Sequence, residues 1–295
     1  MIRESRIAWA AAAALTLLAT APASAQNVED VLGRYTGGNA DGFLQPLADV
    51  LGASLGSGWA RSADIQPGLH IRLSAIAAGA PISDNARTFM GTTESFSPVT
   101  TIEAPTVFGS TETVAVSGQG GTTYRFPGGI DATLMGTVAP QLTVGSVAGT
   151  EAMVRWLSID IDEDFGSVSL LGLGVLHDID QYLGQSLPVE LAAGVYWQSF
   201  DIGDVVQSST ISAMVHASKS FNVLTVFGGL GYETSSTDIS YTPEGETTVI
   251  DVSLDGANSI RATGGVALRL FVVGVFADYT IASQNTFTLG LELGR

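Results

Sequence analysis

The chain has 295 residues, with 29 acidic and 12 basic side chains and no cysteine, so its net charge is −17 at pH 7. The lack of cysteine excludes a disulfide framework and a thiolate-bound metal. The shortage of Lys and Arg argues against nucleic acid as a partner, because phosphate binding needs clustered basic side chains. Charged residues make up only 14% of the chain, against about 25% in a typical soluble domain. The composition therefore favours a protein that exposes part of its surface to something other than water.

The first 25 residues have the pattern of a secretory signal. Arg3 and Arg6 precede an apolar run over residues 7–18, and Ala23-Ser24-Ala25 forms a cleavage site. A retained inner-membrane anchor is the alternative, but Pro22 and the small residues at the cleavage site favour removal. We therefore predict a signal peptide over residues 1–25 and export from the cytoplasm.

Residues 26–56 differ from the rest of the chain because their apolar residues recur at helical spacing. These residues are Phe43, Leu44, Leu47, Val50 and Leu51. Pro46 is expected in the first turn or so of its helix, where its missing N–H does no harm. The region predicts two short helices, which form either a plug inside a barrel or a cap on its base, and residues 57–295 would then form the barrel.

Apolar residues alternate with polar or small ones through most of the remaining sequence, which predicts strands with two different faces. In Thr286–Gly294, for example, Phe287 and Leu289 alternate with Thr288 and Gly290. Many segments reach the ~9–11 residues that a tilted strand needs to cross a bilayer. The predicted strands are Gly58–Ile65, Leu69–Ala77, Thr111–Ser117, Ile130–Thr137, Gln141–Val147, Glu151–Ile159, Phe165–His177, Leu187–Phe200, Thr210–Ser218, Phe221–Glu233, Thr247–Ser253, Ser259–Arg269, Phe271–Ile281 and Thr286–Gly294.

These observations predict an all-β fold, an antiparallel transmembrane β-barrel of about 12–14 strands with a short N-terminal helical plug or cap. The expected location is the bacterial outer membrane. The expected partners are outer-membrane lipid, lipopolysaccharide and the barrel assembly machinery, besides a small-molecule solute of unknown identity. A soluble secreted β-sandwich that binds a ligand shows the same alternation and is the alternative fold.

Two further features fit a barrel. Aromatic residues near strand ends are expected to form girdles at the membrane interfaces, and polar stretches between strands are expected to form the longer extracellular loops. The aromatic residues are Trp59, Trp156, Trp197, Phe200, Phe221, Tyr232, Tyr279 and Phe287, and the loops are Pro81–Thr101, Gly118–Gly129 and Thr242–Asn258.

The alternation also predicts which side chains line the lumen. The candidates are His70, Arg72, Glu190, His216, Arg261, Arg269, Asp278 and Glu292. Because isolated buried charges are costly, such a lumen is either wet or bridged by ion pairs, and in the second case the barrel would be structural rather than conducting. The spacing of the three histidines predicts no metal site, and no cofactor is expected.

Two patterns resemble hydrolase sites. Residues 52–56 match G-x-S-x-G, but here a helix precedes and a strand follows, the reverse of a nucleophile elbow. His216 and Ser218 share one face of a strand, as the His-x-Ser pair of lipid-modifying outer-membrane enzymes does, but they are expected to face the lumen rather than lipid. No catalytic residue is therefore predicted and the protein is not expected to be an enzyme, with a lipid-modifying barrel enzyme as the alternative.

Several short phrases resemble an uncharacterised family of bacterial outer-membrane β-barrel proteins. They are residues 58–63 (Gly-Trp-Ala-Arg-Ser-Ala), 155–157 (Arg-Trp-Leu), 172–178 (Gly-Leu-Gly-Val-Leu-His-Asp) and 187–189 (Leu-Pro-Val). Helices before a barrel also resemble, more distantly, the long-chain fatty-acid outer-membrane transporters, although the Asn-Pro-Ala phrase of those proteins has no counterpart here. The resemblance implies a passive pore or transporter for small molecules, hydrophobic ones included.

Overall fold

The computed structural model describes residues 38–162, 166–183, 187–241 and 250–294. The predicted signal peptide and the region of the first predicted helix lie outside these residues. The described part contains helix α1 (Gly38–Leu55) and strands β1 (His70–Pro81), β2 (Thr88–Thr92), β3 (Thr101–Pro105), β4 (Val114–Ser117), β5 (Thr123–Phe126), β6 (Leu134–Val147), β7 (Thr150–Asp162), β8 (Gly166–Asp178), β9 (Glu190–Ile202), β10 (Val206–Phe221), β11 (Leu224–Tyr241), β12 (Ile250–Asp255), β13 (Ile260–Leu270), β14 (Val273–Ile281) and β15 (Thr286–Gly294).

Ten antiparallel strands form a closed barrel in the part of the chain that the structure describes. The order around the wall is β10-β9-β8-β7-β6-β1-β15-β14-β13-β11, and β11 pairs with β10 to close the ring. Strand β12 pairs with the end of β11 that extends past β13. The predicted all-β barrel is confirmed, and the sandwich alternative is wrong because the sheet closes on itself.

The wall has fewer strands than the sequence count suggested, for identifiable reasons. The segment predicted as Thr111–Ser117 contributes β4, which pairs with β5 in a hairpin apart from the wall, as β2 does with β3. The segments predicted on either side of Pro140 form one strand, β6, because β1 pairs with β6 straight through Pro140. The segment Gly58–Ile65 is not a strand at all.

The two ends of the barrel differ. At one end, here the turn end, β1 begins, β15 finishes, and two-residue turns join β6 to β7, β10 to β11 and β13 to β14. Ala148 and Gly149 both have positive φ, 51° and 71°, as a tight turn that matches strand twist requires. At the other end, the loop end, residues 82–133 run from β1 to β6 and carry both small hairpins.

The outer face of the wall is apolar and the inner face is polar. On β15, Leu289, Leu291 and Leu293 are about half exposed, whereas Thr288 and Glu292 are buried. Other outward apolar residues that extend this band around the barrel are Ile71, Leu73, Leu171, Leu173, Val175, Val195, Ile211, Val215, Val226, Leu230, Val266, Leu268 and Val275. A soluble barrel would show the opposite arrangement, so the wall has the pattern of an outer-membrane barrel.

Aromatic residues border this apolar band. Trp156, Tyr232 and Tyr279 are exposed on the loop side, and Phe221 and Phe271 are exposed at the turns. Beyond the band, β11 presents exposed polar residues, Thr234, Ser236 and Asp238. The girdle prediction was wrong for Trp59 and Phe200, which are 3% and 9% exposed and lie in the interior.

Helix α1 lies inside the ring of strands. It contacts β1, β6, β9, β10, β11 and β12, which lie on different sides of the wall, so it is a plug rather than a cap. Pro46 lies well inside this helix and not near its start, because contacts with the wall and the hairpins hold the turns that precede it. No helix among the described residues is long and apolar enough to span a membrane.

Candidate functional site: the barrel lumen

The lumen is occupied by residues 38–69 of the same chain, here called the luminal segment. Helix α1 forms its first part, and an irregular stretch from Gly56 to Leu69 continues to the start of β1. Within this stretch, Trp59, Arg61 and Ala63 are buried. Its contacts with the wall differ at three levels, from the loop end to the turn end.

At the loop end, the contacts are mainly apolar. Phe43, Leu44, Leu51 and Leu55 of α1 are fully buried. They belong to one cluster with wall and hairpin residues that include Phe126, Leu170, Phe200, Ile239 and Leu254. This cluster closes the loop end against solvent.

Asn39 anchors the start of the helix to the β2–β3 hairpin. Its amide nitrogen donates to the Thr92 carbonyl at 2.8 Å, and its amide oxygen accepts from the Thr92 N–H at 2.9 Å. A side-chain amide that satisfies both backbone groups of one residue fixes orientation as well as position. The hairpin and the helix therefore form one unit at the loop end.

The middle level is polar and centres on Ser57. Its hydroxyl accepts from Arg261 Nη2 at 2.7 Å and lies 2.7 Å from Thr286 Oγ1. Arg261 also forms an ion pair with Glu233, and the two side chains are 1% and 0% exposed. Strands β13 and β15 thus hold the segment at this point through hydrogen bonds, and Glu233 of β11 pairs with the arginine that makes one of them.

Arg155 holds the segment from the opposite side of the lumen. Its Nη1 donates to the Ser57 carbonyl at 3.0 Å and to Gln198 Oε1 at 3.1 Å, and its Nε donates to Gln141 Oε1 at 2.8 Å. Its guanidinium carbon lies 3.9 Å from the centre of the Trp59 ring, and that ring stacks on Tyr196 at 5.1 Å. A guanidinium over an indole is a favourable cation–π arrangement, more so when desolvated.

Near the turn end, Glu292 joins the segment to the wall, and Glu151 joins two wall strands, β7 and β1. Glu292 forms ion pairs with Arg61 of the segment and with Arg269 of β13. Glu151 accepts from Arg72 at 2.6 Å and lies 2.8 Å from His70 Nε2. The backbone N–H of Ala63 donates to Ser218 Oγ at 2.9 Å, and Ser62 Oγ lies 3.3 Å from the same oxygen.

The predicted lumen candidates lie at different depths in the barrel. Arg72, His216, Arg261, Asp278 and Glu292 are buried on the inner face of the wall. His70, Arg269 and Glu190 lie towards the turn end, where Glu190 is exposed at the mouth. His70 and Arg72 meet on Glu151, and Arg269 meets Glu292, whereas Asp278 and His216 belong to neither group.

Sequence reasoning missed several residues that hold the segment. Glu151 and Arg155 alternate with outward residues on β7, and Glu233 does so on β11, so the same alternation would have found them. Arg61 lies on the same face as Trp59 and Ala63 in the alternation of Gly58–Ile65, so the pattern could have found it as well. Ser57 precedes that alternation and carries no such signal.

The two hydrolase-like patterns have other partners in the structure. His216 Nε2 lies 3.0 Å from Tyr196 Oη, and Ser218 contacts Ala63 and Ser62 of the luminal segment. Ser54 lies fully buried inside α1, without the strand-turn-helix setting of a nucleophile elbow.

The sequence of the chain matches the model of a known protein family. The model described as "Family of unknown function (DUF6588)" matches residues 5–295. No curated protein matches the chain.

Solved structures that are similar to the chain include three outer-membrane proteins. OmpT of Vibrio cholerae is 8% identical with a TM-score of 0.26, and the match covers 77% of this chain and 98% of that one. The β domain of the Bordetella autotransporter BrkA is 11% identical with a TM-score of 0.28, over 78% and 99%. The toluene transporter TbuX of Ralstonia pickettii is 10% identical with a TM-score of 0.25, over 84% and 98%.

Proposed function

We propose that this chain, which belongs to the DUF6588 family of unknown function, forms an outer-membrane channel for small solutes that its own luminal segment holds closed. The observation that carries the proposal is the polar contact between segment and wall at the middle and turn-end levels. Ser57, Arg61 and Ala63 contact the wall through hydrogen bonds and ion pairs. A neutral hydrogen bond that water can replace contributes only about 0.5–1.5 kcal/mol net, and one that involves a charged group contributes about 1.5–3 kcal/mol. Water can therefore replace these contacts at moderate cost when the segment moves.

The outer face of the wall supports an outer-membrane location. Its apolar band and aromatic borders suit a bilayer, and outer-membrane barrels carry short turns on the periplasmic side and longer loops outside. On that basis the turn end faces the periplasm and the loop end, with residues 82–133, faces outwards. Outer-membrane lipid, lipopolysaccharide and the assembly machinery are the corresponding partners.

The charges of the lumen favour polar solutes over hydrophobic ones. Arg72, Arg155 and Arg261 on the wall face the same interior as Glu151 and Glu233. If the segment moves, these groups become the surface along which a solute passes. Groups of both signs suit small polar or charged molecules, whereas an apolar molecule would have to displace their hydration.

We further propose that the barrel is not an enzyme. His216 is hydrogen-bonded to Tyr196, and Ser218 is used to hold the luminal segment. Neither group is arranged as a nucleophile with its base.

A disulfide lock tests whether the segment controls conduction. The chain contains no native cysteine, and the hydroxyl oxygens of Ser62 in the segment and Ser218 in the wall lie 3.3 Å apart. In the double variant Ser62→Cys/Ser218→Cys, the oxidised protein should show no ion conductance in a planar bilayer in potassium chloride. Reduction should restore the openings of the wild-type protein.

The matched control is Ser208→Cys/Thr237→Cys, which joins two wall strands and leaves the segment free. Those side-chain oxygens lie 2.9 Å apart on paired residues of β10 and β11, and oxidation of this variant should leave conductance unchanged. Equal conductance of the oxidised lock and the wild type would show that solutes pass without movement of the segment. Absence of conductance in every form, wild type included, would make the barrel structural rather than conducting.

A further inference from the structure

The luminal segment runs in one direction through the whole height of the barrel. Gln45 Nε2 donates to the carbonyl of Asp255 at 2.8 Å, in the strand that extends the wall at the loop end. Seven residues later, the carbonyl of Gly52 accepts from Thr210 Oγ1 at 3.3 Å. Further along, the N–H of Ala63 donates to Ser218 at 2.9 Å. Because β10 runs from the loop end to the turn end, its contacts at residues 210 and then 218 show that the segment descends towards the turns.

The two ends of the segment are open to solvent at opposite ends of the barrel. Gly38 is exposed, and a Cβ built on it would meet no atom within 4 Å. Its neighbour Asn39 is fixed to the β2–β3 hairpin of the loop end. Leu69, the last residue before β1, is 80% exposed at the turn end.

We infer that the luminal segment crosses the outer membrane from outside to inside, with Gly38 on the cell surface and Leu69 on the periplasmic side. The inference rests on the membrane location and orientation proposed above, but not on conduction. Its functional consequence is that the chain enters the barrel from the outside. The start of helix α1 is then displayed on the cell surface, held there by the β2–β3 hairpin and the barrel wall.

The alternative path places Gly38 in the periplasm and is incompatible with these contacts. It would require α1 to meet the turn-end residues of the wall, whereas Asn39 and Gln45 are hydrogen-bonded to residues at the loop end. Reversing the segment would break the apolar cluster around Phe43 and Leu51 as well as the Arg61–Glu292 ion pair.

Labelling of single cysteines tests the direction of the segment, and the cysteine-free chain gives no background. Gly38→Cys should react with a membrane-impermeant maleimide on intact cells. Leu69→Cys should react only after the outer membrane is permeabilised. Both residues are exposed and neither is part of the contacts that hold the segment, so both variants are expected to fold.

Two controls separate the inference from the proposed orientation. Val99→Cys lies in the loop-end region and Val223→Cys lies in a turn, and these residues are 71% and 42% exposed. Labelling of Val99→Cys but not of Gly38→Cys on intact cells would overturn the inference and leave the orientation intact. Labelling of Leu69→Cys on intact cells beside a protected Val223→Cys would overturn it as well. Labelling of Val223→Cys instead of Val99→Cys would overturn the orientation itself.

Discussion

Several charged residues of the lumen are buried in ion pairs. Arg261 and Glu233 are almost inaccessible to solvent, and Ser57 and Asn258 supply further hydrogen bonds to them. Such a pair stabilises little relative to apolar residues of the same shape, but removal of one partner leaves the other charge buried and uncompensated. The lumen is therefore sensitive to single substitutions at these positions.

Arg261→Met is expected to lower the free energy of unfolding by about 3–5 kcal/mol, because it leaves the carboxylate of Glu233 without its cation. Denaturant unfolding of the refolded barrel in detergent micelles measures this loss. The double variant Arg261→Met/Glu233→Leu should lose less than the single variant, because no charge is then stranded.

A surface ion pair supplies the control for this experiment. Arg87 and Asp131 pair at the loop end, where their side chains are partly and largely exposed, and Arg87→Met should cost at most about 1 kcal/mol. If the loss of the double variant equalled the sum of the losses of Arg261→Met and Glu233→Leu alone, Arg261 and Glu233 would not be coupled.

At the scale of elements, the luminal segment shows what a periodic pattern does and does not determine. The helical spacing from Phe43 to Leu51 correctly predicted a helix, because its apolar face packs inside the barrel. The alternation over Gly58–Ile65 wrongly predicted a strand. A chain segment enclosed by walls can alternate its buried side chains as a strand does. Here, however, the backbone of the segment forms hydrogen bonds with side chains such as Ser218 and Arg155 instead of with a neighbouring strand.

The luminal segment approaches the wall closely at Gly56, directly after helix α1. A Cβ added there would overlap the Glu233 carboxylate and the guanidinium of Arg261. Gly56→Ala is therefore expected to shift the segment at this point or to separate the Arg261–Glu233 ion pair. Either change should lower the free energy of unfolding by about 1–3 kcal/mol. The change in unfolding free energy and the loss of protease resistance of the segment are the measurements.

Gly38→Ala is the matched control, because the same methyl group enters open space at the exposed start of the helix. Alanine is the better helix former, so this variant should be unchanged or more stable by up to about 1 kcal/mol. A Gly56→Ala protein as stable as the Gly38→Ala protein would show that the wall does not touch the segment at this point.

At the scale of the whole molecule, the alternation along the wall strands was sufficient to predict the fold class. Strands such as β15 and β10 have one polar and one apolar face, and inward residues including Arg72 and Glu292 followed from that pattern. The strand count did not follow, because Thr111–Ser117 contributes to a hairpin apart from the wall, Gly58–Ile65 belongs to the luminal segment, and Pro140 divides one wall strand into two predicted ones. Which wall residues meet is set by the register between strands. Arg155 and Gln198 meet because both lie opposite Gly172 of the strand between them, and no local pattern reports such a pairing.

Because the apolar face of the wall points outwards, a charge placed on that face should hinder assembly in the membrane. Leu291 lies in the outward apolar band on β15, beside Ala75 of β1 and Val275 of β14. Near the centre of a bilayer, Arg on the lipid face costs about 2–4 kcal/mol, and the cost approaches zero at the interfaces. Leu291→Arg should therefore reduce the folded barrel in the outer-membrane fraction, measured as the heat-modifiable band on gels with and without boiling.

Ser236→Arg places the same side chain on the same outward face, but on the part of β11 that extends past the band. This variant should assemble like the wild-type protein, because its guanidinium remains in water. If both variants assembled equally well, the outward apolar residues would not be in lipid, and the barrel would stand outside the membrane with its polar core still paired. If only Leu291→Arg failed, the apolar band and not the general surface of the barrel would be what the bilayer requires.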